Sequence, residues 1–129
     1  AAAKGLLPDS NILGLVAAEA AYREGEPWRQ ELLNVLREHR ATLEERVASW
    51  QGVHWSAPES TYLAWLDMRE AGLGNAPHKR LLKEAGVALS DGAAFGCPGF
   101  VRLNFGTTAT QLETALSRMD AVLKSSETR

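Results

Sequence analysis

The segment GAAFGCPGFVRLNFG, residues 92–106, places one arginine inside an apolar strand, between a glycine-rich loop and a glycine turn. Alternation along this strand puts Val101 and Leu103 on one face and Phe100 and Arg102 on the other. A guanidinium keeps its charge when it is buried, because it does not lose its proton in a protein. Arg102 therefore needs an anion, supplied either by the protein or by a ligand.

Two interpretations of Arg102 follow from the residues alone, and both stay open. An arginine in an edge strand ordinarily pairs with an acidic side chain of the same protein. Alternatively, its planar fork forms two parallel hydrogen bonds to a ligand carboxylate, a geometry that lysine does not reproduce. The neighbouring glycines favour the second interpretation, because they allow backbone and ligand to approach closely.

The composition is that of one globular domain. The chain has 129 residues, 45% of them hydrophobic and 23% charged, with a formal net charge of −2. It has no basic stripe and no long apolar run, so neither nucleic acid nor a membrane is expected as a partner. Cys97 is the single cysteine, and a cytoplasmic location is expected. The chain starts with Ala1 rather than methionine, which suggests a piece excised from a longer protein.

The change of hydrophobic period along the chain predicts the order of elements. Helices are expected at about 13–24, 27–50, 76–85 and 109–124, and strands at about 53–56, 61–68, 87–90 and 100–105. The first two strands are expected to form an antiparallel pair. Expected helix caps are Ser10 or Asn11, Asn75, and Thr107 or Thr108. The order predicts an α+β fold, a small and mostly antiparallel sheet with helices packed on it.

The first predicted helix is apolar around most of its circumference, with Leu13, Leu15 and Val16 among its alanines. Such a helix is usually buried on most sides. It is either a central core helix or it packs against something outside the domain. In the second case the isolated chain exposes an apolar patch and is expected to self-associate.

Other reactive side chains give no pattern typical of a site. His39, His54 and His78 lack metal-ligand spacing and are expected in structural or surface roles, so no metal is expected. Cys97 has no local activating group and is expected to be a bystander thiol. Tyr62 and Trp65 lie in a strand and are expected to fill core, and a place beside a pocket is the alternative for Tyr62.

Four stretches together resemble a known family over the whole chain, namely residues 11–22, 60–69, 85–89 and 95–106. They resemble the C-terminal small domain of pyridoxal-phosphate enzymes of the class I/II aminotransferase superfamily. Within it they are most similar to the cystathionine β-lyase-like C–S lyases and related aminotransferases. The stretch containing Arg102 is the most specific, although it has only Cys97-Pro98-Gly99 where the family often has a longer glycine-rich loop.

The resemblance implies a role for Arg102, which corresponds to the family arginine that binds the α-carboxylate of the amino-acid substrate. It implies pyridoxal 5'-phosphate in a full-length, homodimeric parent, with the cofactor lysine in a large domain that precedes this sequence. Lys4 is not expected to be that lysine, because the family has a serine or threonine three residues before it and this chain has Ala1. No catalytic, cofactor-binding or metal-binding residue is therefore expected in the chain itself.

Two functions are compatible with the sequence. In the first, the chain is the excised C-terminal domain of a pyridoxal-phosphate-dependent aminotransferase or C–S β-lyase acting on amino acids, and Arg102 is its substrate-binding residue. Its expected parts are an interdomain segment (1–12), a domain body (13–124) and a tail (125–129). In the second, it is a free-standing, non-enzymatic α+β module that binds a small carboxylate or a protein partner.

Overall fold

The computed structural model describes residues 11–126, and its contacts divide the chain into two compact units, residues 1–35 and 36–129. Helix α1 (Ile12–Glu24) belongs to the first unit, and helix α2 (Glu26–Ala48) runs across the division. The predicted boundaries of the interdomain segment, body and tail differ from this division and stay a prediction. No helix among residues 11–126 is both long and apolar enough to cross a membrane.

The second unit contains the whole sheet. Its elements are β1 (His54–Trp55), β2 (Leu63–Asp67), α3 (Pro77–Ala85), β3 (Ser90–Asp91), a 3₁₀ helix (Gly92–Phe95), β4 (Phe100–Asn104) and α4 (Ala109–Ser126). The sheet has the strand order β1-β2-β4-β3, and every neighbouring pair is antiparallel. The predicted α+β class and the predicted β1–β2 pair are confirmed.

The first unit contains α1, which begins at Asn11. The Asn11 side chain accepts a hydrogen bond from the Leu13 amide at 2.9 Å, as the sequence predicts for a cap. No residue of α1 is buried, and Leu13 is 74% and Tyr22 90% exposed. The alternative of a central core helix is therefore wrong for the described residues. Packing against something outside the domain, and self-association of the isolated chain, stay predictions.

The core of the second unit lies on one face of the sheet. Alternation along β2 buries Ala64 and Leu66, and alternation along β4 buries Val101 and Leu103. Helices contribute further fully buried side chains, among them Leu43, Leu81, Leu116 and Met119. The residues between the buried ones in β2 and β4 point to the opposite face, which is the open face of the sheet.

The region around α3 differs from the prediction in two ways. Asn75 does not cap the helix, because Ala76 occupies the cap position and no side chain bonds the first turn. The predicted strand at 87–90 shrinks to Ser90–Asp91. Gly86 ends the helix in the left-handed conformation at φ 66°, and the Val87 amide donates to the Leu81 carbonyl at 3.3 Å. Because this helix-ending motif engages the Val87 amide, Val87 does not join the sheet.

Two helix ends also differ from the prediction. Helix α2 ends at Ala48 rather than Trp50, and α4 continues to Ser126, two residues past the predicted end. The Thr108 hydroxyl accepts from the Gln111 amide at 3.3 Å, so the predicted cap of α4 is confirmed.

A polar cluster joins the end of α2 to α4. Arg46 pairs with both Glu113 and Asp120, and the indole nitrogen of buried Trp50 donates to Asp120 at 2.6 Å. Asp120 therefore accepts from two groups that lie 74 and 70 positions before it in sequence. The cluster fixes how the two helices pack.

We expect Asp120→Ala to destabilise the protein by about 1–3 kcal/mol, because it leaves the buried Trp50 nitrogen and one arm of Arg46 without a partner. The free energy of unfolding in urea is the measurement. Glu113→Ala is the matched control, since Glu113 is half-exposed and accepts only from Arg46 and from the exposed Ser117 hydroxyl among the described residues. An equal loss in both variants would contradict the central role of Asp120.

Candidate functional site

Arg102 lies in the middle of the open face of the sheet. Strand β4 is an inner strand, and Arg102 is opposite Trp65 of β2 and opposite Ser90 of β3. The premise that Arg102 is an edge-strand arginine is therefore wrong. Its position within three paired strands fixes the backbone from which the guanidinium projects.

Among residues 11–126, no carboxylate contacts Arg102. Its Nη2 donates to Ser90 Oγ at 3.2 Å, and its Cζ lies 4.8 Å from the centre of the Phe95 ring. None of the ion pairs formed among residues 11–126 includes Arg102. The side chain is half-buried, and its other nitrogens make no hydrogen bond among the described residues. Such a guanidinium can donate two parallel hydrogen bonds to a planar anion.

Arg69 is a useful contrast at the end of β2. Its Nε and Nη2 donate to the two carboxylate oxygens of Asp67 at 2.9 and 2.7 Å, and its Cζ lies 5.0 Å from the centre of the Phe100 ring. These hydrogen bonds from Arg69 lower the pKa of Asp67, and the same contact raises the pKa of Arg69. The fork of Arg69 is thus engaged by a native carboxylate, whereas no carboxylate of the described residues engages that of Arg102.

Three aromatic rings form a row between the two arginines, and we call Phe95, Trp65 and Phe100 the aromatic row. Trp65 meets Phe95 edge to face, with ring centres 5.7 Å apart and planes at 86°. It stacks on Phe100 at 5.7 Å and 22°. These are favourable geometries for aromatic pairs, so the row is a defined surface rather than a set of loose side chains.

Two aromatic residues depart from their expected place. Tyr62 is 47% exposed instead of filling core, and its ring lies about 3.0 Å from where a Cβ on Gly106 would be. Trp65 is half-buried on the open face, because its neighbours Ala64 and Leu66 take the two core positions of β2. Both predictions of a core role are wrong.

The connection from β3 to β4 is more ordered than a simple loop. It contains the 3₁₀ helix Gly92–Phe95, whose first amide groups include Ala93 donating to Asp91 Oδ1 at 3.0 Å. A Cβ on Gly92 would lie 2.4 Å from the Cys97 carbonyl oxygen, so only glycine fits there. Gly96 ends the helix with φ 81°. Phe95 is thereby held directly before a fixed turn.

Sequence reasoning found Arg102 but missed its two neighbours. The sequence predicts Ser90 as part of a longer strand and Phe95 as part of a glycine-rich connection. Two signals in the sequence were available: Asp91 directly before a glycine is a typical cap, and Gly96 directly after a large aromatic residue indicates a turn that presents it. Neither signal identifies which side chain the ring contacts.

The three histidines have separate environments. His39 is buried, and its Nδ1 lies 3.0 Å from the Phe105 carbonyl oxygen, which is a structural contact as predicted. His54 Nε2 lies 3.4 Å from the Glu70 carboxylate at the surface, and His78 Nδ1 lies 3.4 Å from Asp91. Within residues 11–126, no three His, Cys, Asp or Glu side chains group closely enough to hold a metal ion.

The Asp67–Arg69 pair makes a prediction about acid stability. Because the pKa of Asp67 is lowered from its ordinary 3.8 on folding, its contribution is present above that value and is lost as the pH falls through the lower folded value. The thermal unfolding midpoint of wild type should therefore exceed that of Asp67→Asn at about pH 6, and the difference should shrink below about pH 4. Glu59→Gln, which removes an exposed carboxylate, is the control, and a pH-independent difference would contradict the prediction.

The comparisons with known proteins agree on one family. The family model described as aminotransferase class I and II matches residues 4–119. A cystathionine beta-lyase of Corynebacterium glutamicum is 44% identical over 120 residues, which are 88% of this chain and 31% of that protein. An aspartate aminotransferase of Thermotoga maritima is 32% identical over 116 residues, 90% of this chain and 30% of that protein.

Solved structures agree with the sequence relatives. The structure of the PLP-bound C–S lyase from Staphylococcus hominis superimposes with a TM-score of 0.81 at 27% identity, and covers 91% of this chain and 32% of that one. The chain thus spans about a third of the length of the relatives it matches. With a family match over most of its residues, the chain belongs to the aminotransferase class I and II family.

Proposed function

We propose that this chain is the substrate-binding small domain of a pyridoxal-phosphate-dependent enzyme that acts on amino acids, either a C–S β-lyase or an aminotransferase. Arg102 binds the α-carboxylate of the substrate in this proposal. The observation that carries it is the contrast on one sheet face: Arg69 has its fork engaged by Asp67, whereas Arg102 has no carboxylate partner among residues 11–126. The names of the relatives support the substrate class.

Arg102 supports this role through its fixed position. The strand holds its backbone, Ser90 accepts from one Nη, and the other nitrogens make no hydrogen bond among the described residues. A carboxylate bound by two of these nitrogens is fixed in distance and in plane, so the rest of the amino acid is oriented for reaction.

The cofactor itself requires other residues. Pyridoxal phosphate acts as an electron sink that stabilises a carbanion at the substrate Cα. The described lysines, Lys79, Lys83 and Lys124, are all exposed on helices α3 and α4, and Lys4 lies outside the described residues. The described residues do not fit a holding site for the cofactor, so we assign no cofactor-binding role among them.

The remaining parts of the proposal concern the rest of the protein. We propose that a large domain of the same protein holds the cofactor, that this domain covers the exposed apolar α1, and that the enzyme is a cytoplasmic homodimer. The exposed side chains of Leu13, Val16 and Tyr22 support a covering partner for α1. The length of the relatives supports a larger protein.

We expect Arg102→Lys in the full-length enzyme to lower kcat/KM, because a lysine cannot form the paired contact with the carboxylate. The loss of transition-state stabilisation should be about 2–4 kcal/mol. Steady-state kinetics with an amino-acid substrate is the measurement. Arg118→Lys is the matched control, since Arg118 is exposed on α4. An unchanged kcat/KM in Arg102→Lys would contradict the proposal.

A second experiment separates the enzyme from the binding module. The isolated 129-residue chain is mixed with pyridoxal phosphate and followed by absorbance. The proposal predicts that the isolated chain forms no specific covalent adduct with pyridoxal phosphate. The full-length protein should bind the cofactor stoichiometrically. A full-length protein that binds no cofactor, together with Arg102-dependent carboxylate binding by the isolated chain, would favour the non-enzymatic module.

A further inference from the structure

Phe95 is a large apolar side chain kept at the surface next to Arg102, which has no carboxylate partner among residues 11–126. It is 53% exposed, and its ring centre lies 4.8 Å from Arg102 Cζ. A guanidinium within about 6 Å of a ring centre is attracted by the ring quadrupole. We propose that Phe95 is a positioning residue that holds the guanidinium of Arg102 in the orientation that binds the substrate carboxylate, an inference that rests on the proposed function.

The first support is that Phe95 itself is held in place from two sides. The 3₁₀ helix that ends at Phe95 is fixed by Asp91 before it and by Gly96 after it, where the Gly96 amide donates to Ala93 at 3.1 Å. The Cys97 amide then donates to the Gly92 carbonyl at 2.9 Å, which closes the turn. A ring on such a backbone can act as a support for another side chain.

The second support is the edge-to-face contact between Phe95 and Trp65, with ring centres 5.7 Å apart. Trp65 is also the cross-strand neighbour of Arg102. The strand pair and the 3₁₀ helix therefore meet at the Phe95 ring, which contacts both Trp65 and Arg102. This coupling limits the conformations open to Phe95.

The third support is that Ser90 and Phe95 contact the guanidinium in different ways. Ser90 accepts a hydrogen bond in the plane of the fork, whereas an aromatic ring contacts the cation without using any of its N–H groups. Phe95 therefore restrains Arg102 and leaves its donors available to a carboxylate. An acidic side chain at the same place would restrain the arginine by occupying the donors that the substrate needs.

The test uses the full-length enzyme and two substrates, an amino acid and the corresponding amino-acid amide, which lacks the carboxylate. The measured quantity is the discrimination ratio, kcat/KM for the acid divided by kcat/KM for the amide. We expect Phe95→Leu to lower this ratio by about two- to fivefold, the size expected for an exposed cation–π contact. Phe95→Tyr, which keeps a ring, should restore it.

Phe100→Leu is the matched control. It makes the same change in the same aromatic row, but its ring covers Arg69, whose fork is already engaged by Asp67. The discrimination ratio should therefore stay near the wild-type value. A general loss of folding in any variant would change both kcat/KM values together and leave the ratio unchanged, so thermal midpoints are recorded for all variants.

A second readout avoids catalysis. The dissociation constant for 4-methylpentanoate, a monocarboxylate without an amino group, is measured by calorimetry on the full-length protein. It should rise about two- to fivefold in Phe95→Leu and return in Phe95→Tyr.

The outcomes separate the two proposals. If Arg102→Lys lowers the discrimination ratio and Phe95→Leu does not, the role of Phe95 is overturned while the proposed function stands. If neither variant changes the ratio, Arg102 does not bind the carboxylate and both are overturned.

Discussion

The register of β4 between β2 and β3 is the constraint on which the site depends. Side chains in a strand alternate between faces, so a shift of one residue would turn Arg102 into the core and bring Leu103 to the open face. The antiparallel pairing of Val101 with Leu66 and with Asp91 prevents this shift, because Val101 and Leu66 are both fully buried. The apolar side of the strand therefore fixes the polar side. The position of the guanidinium is a consequence of core packing on the other face of the sheet.

Arg69 and Arg102 differ in their pairing because their neighbouring side chains differ. Arg69 has Asp67 two positions before it, and the turn after β2 lets the two side chains meet. Arg102 has Phe100 and Asn104 at the same spacing, and its cross-strand neighbours are Trp65 and Ser90. None of these four side chains carries a negative charge. The sheet therefore presents Arg102 to solvent and aromatic surface, which is the property that the functional proposal needs.

The features that the sequence predicted correctly depend on residues that are close together in the chain. Alternation placed Arg102 opposite the core face, and the caps at Asn11 and Thr108 were visible because a cap needs only its own residue and the next few. Prediction failed where two local structures compete, as at residues 87–89, where the helix-ending motif at Gly86 prevails over a β-prone run. It also failed for Ser90 and Phe95, because their contacts with Arg102 depend on the path of a glycine-rich connection. That path is set by close backbone packing at Gly92, which sequence periodicity does not encode.

The half-burial of Arg102 reconciles stability with binding. A guanidinium buried without a counter-charge would cost several kcal/mol, and a native carboxylate beside it would remove that cost but compete with a ligand. Partial hydration, one hydroxyl acceptor and the face of an aromatic ring together lower the cost without a competing anion. This explains why Phe95 stays at the surface although its size favours burial. The exposed ring and the unpaired charge are thus two parts of one arrangement, and each accounts for the otherwise unfavourable position of the other.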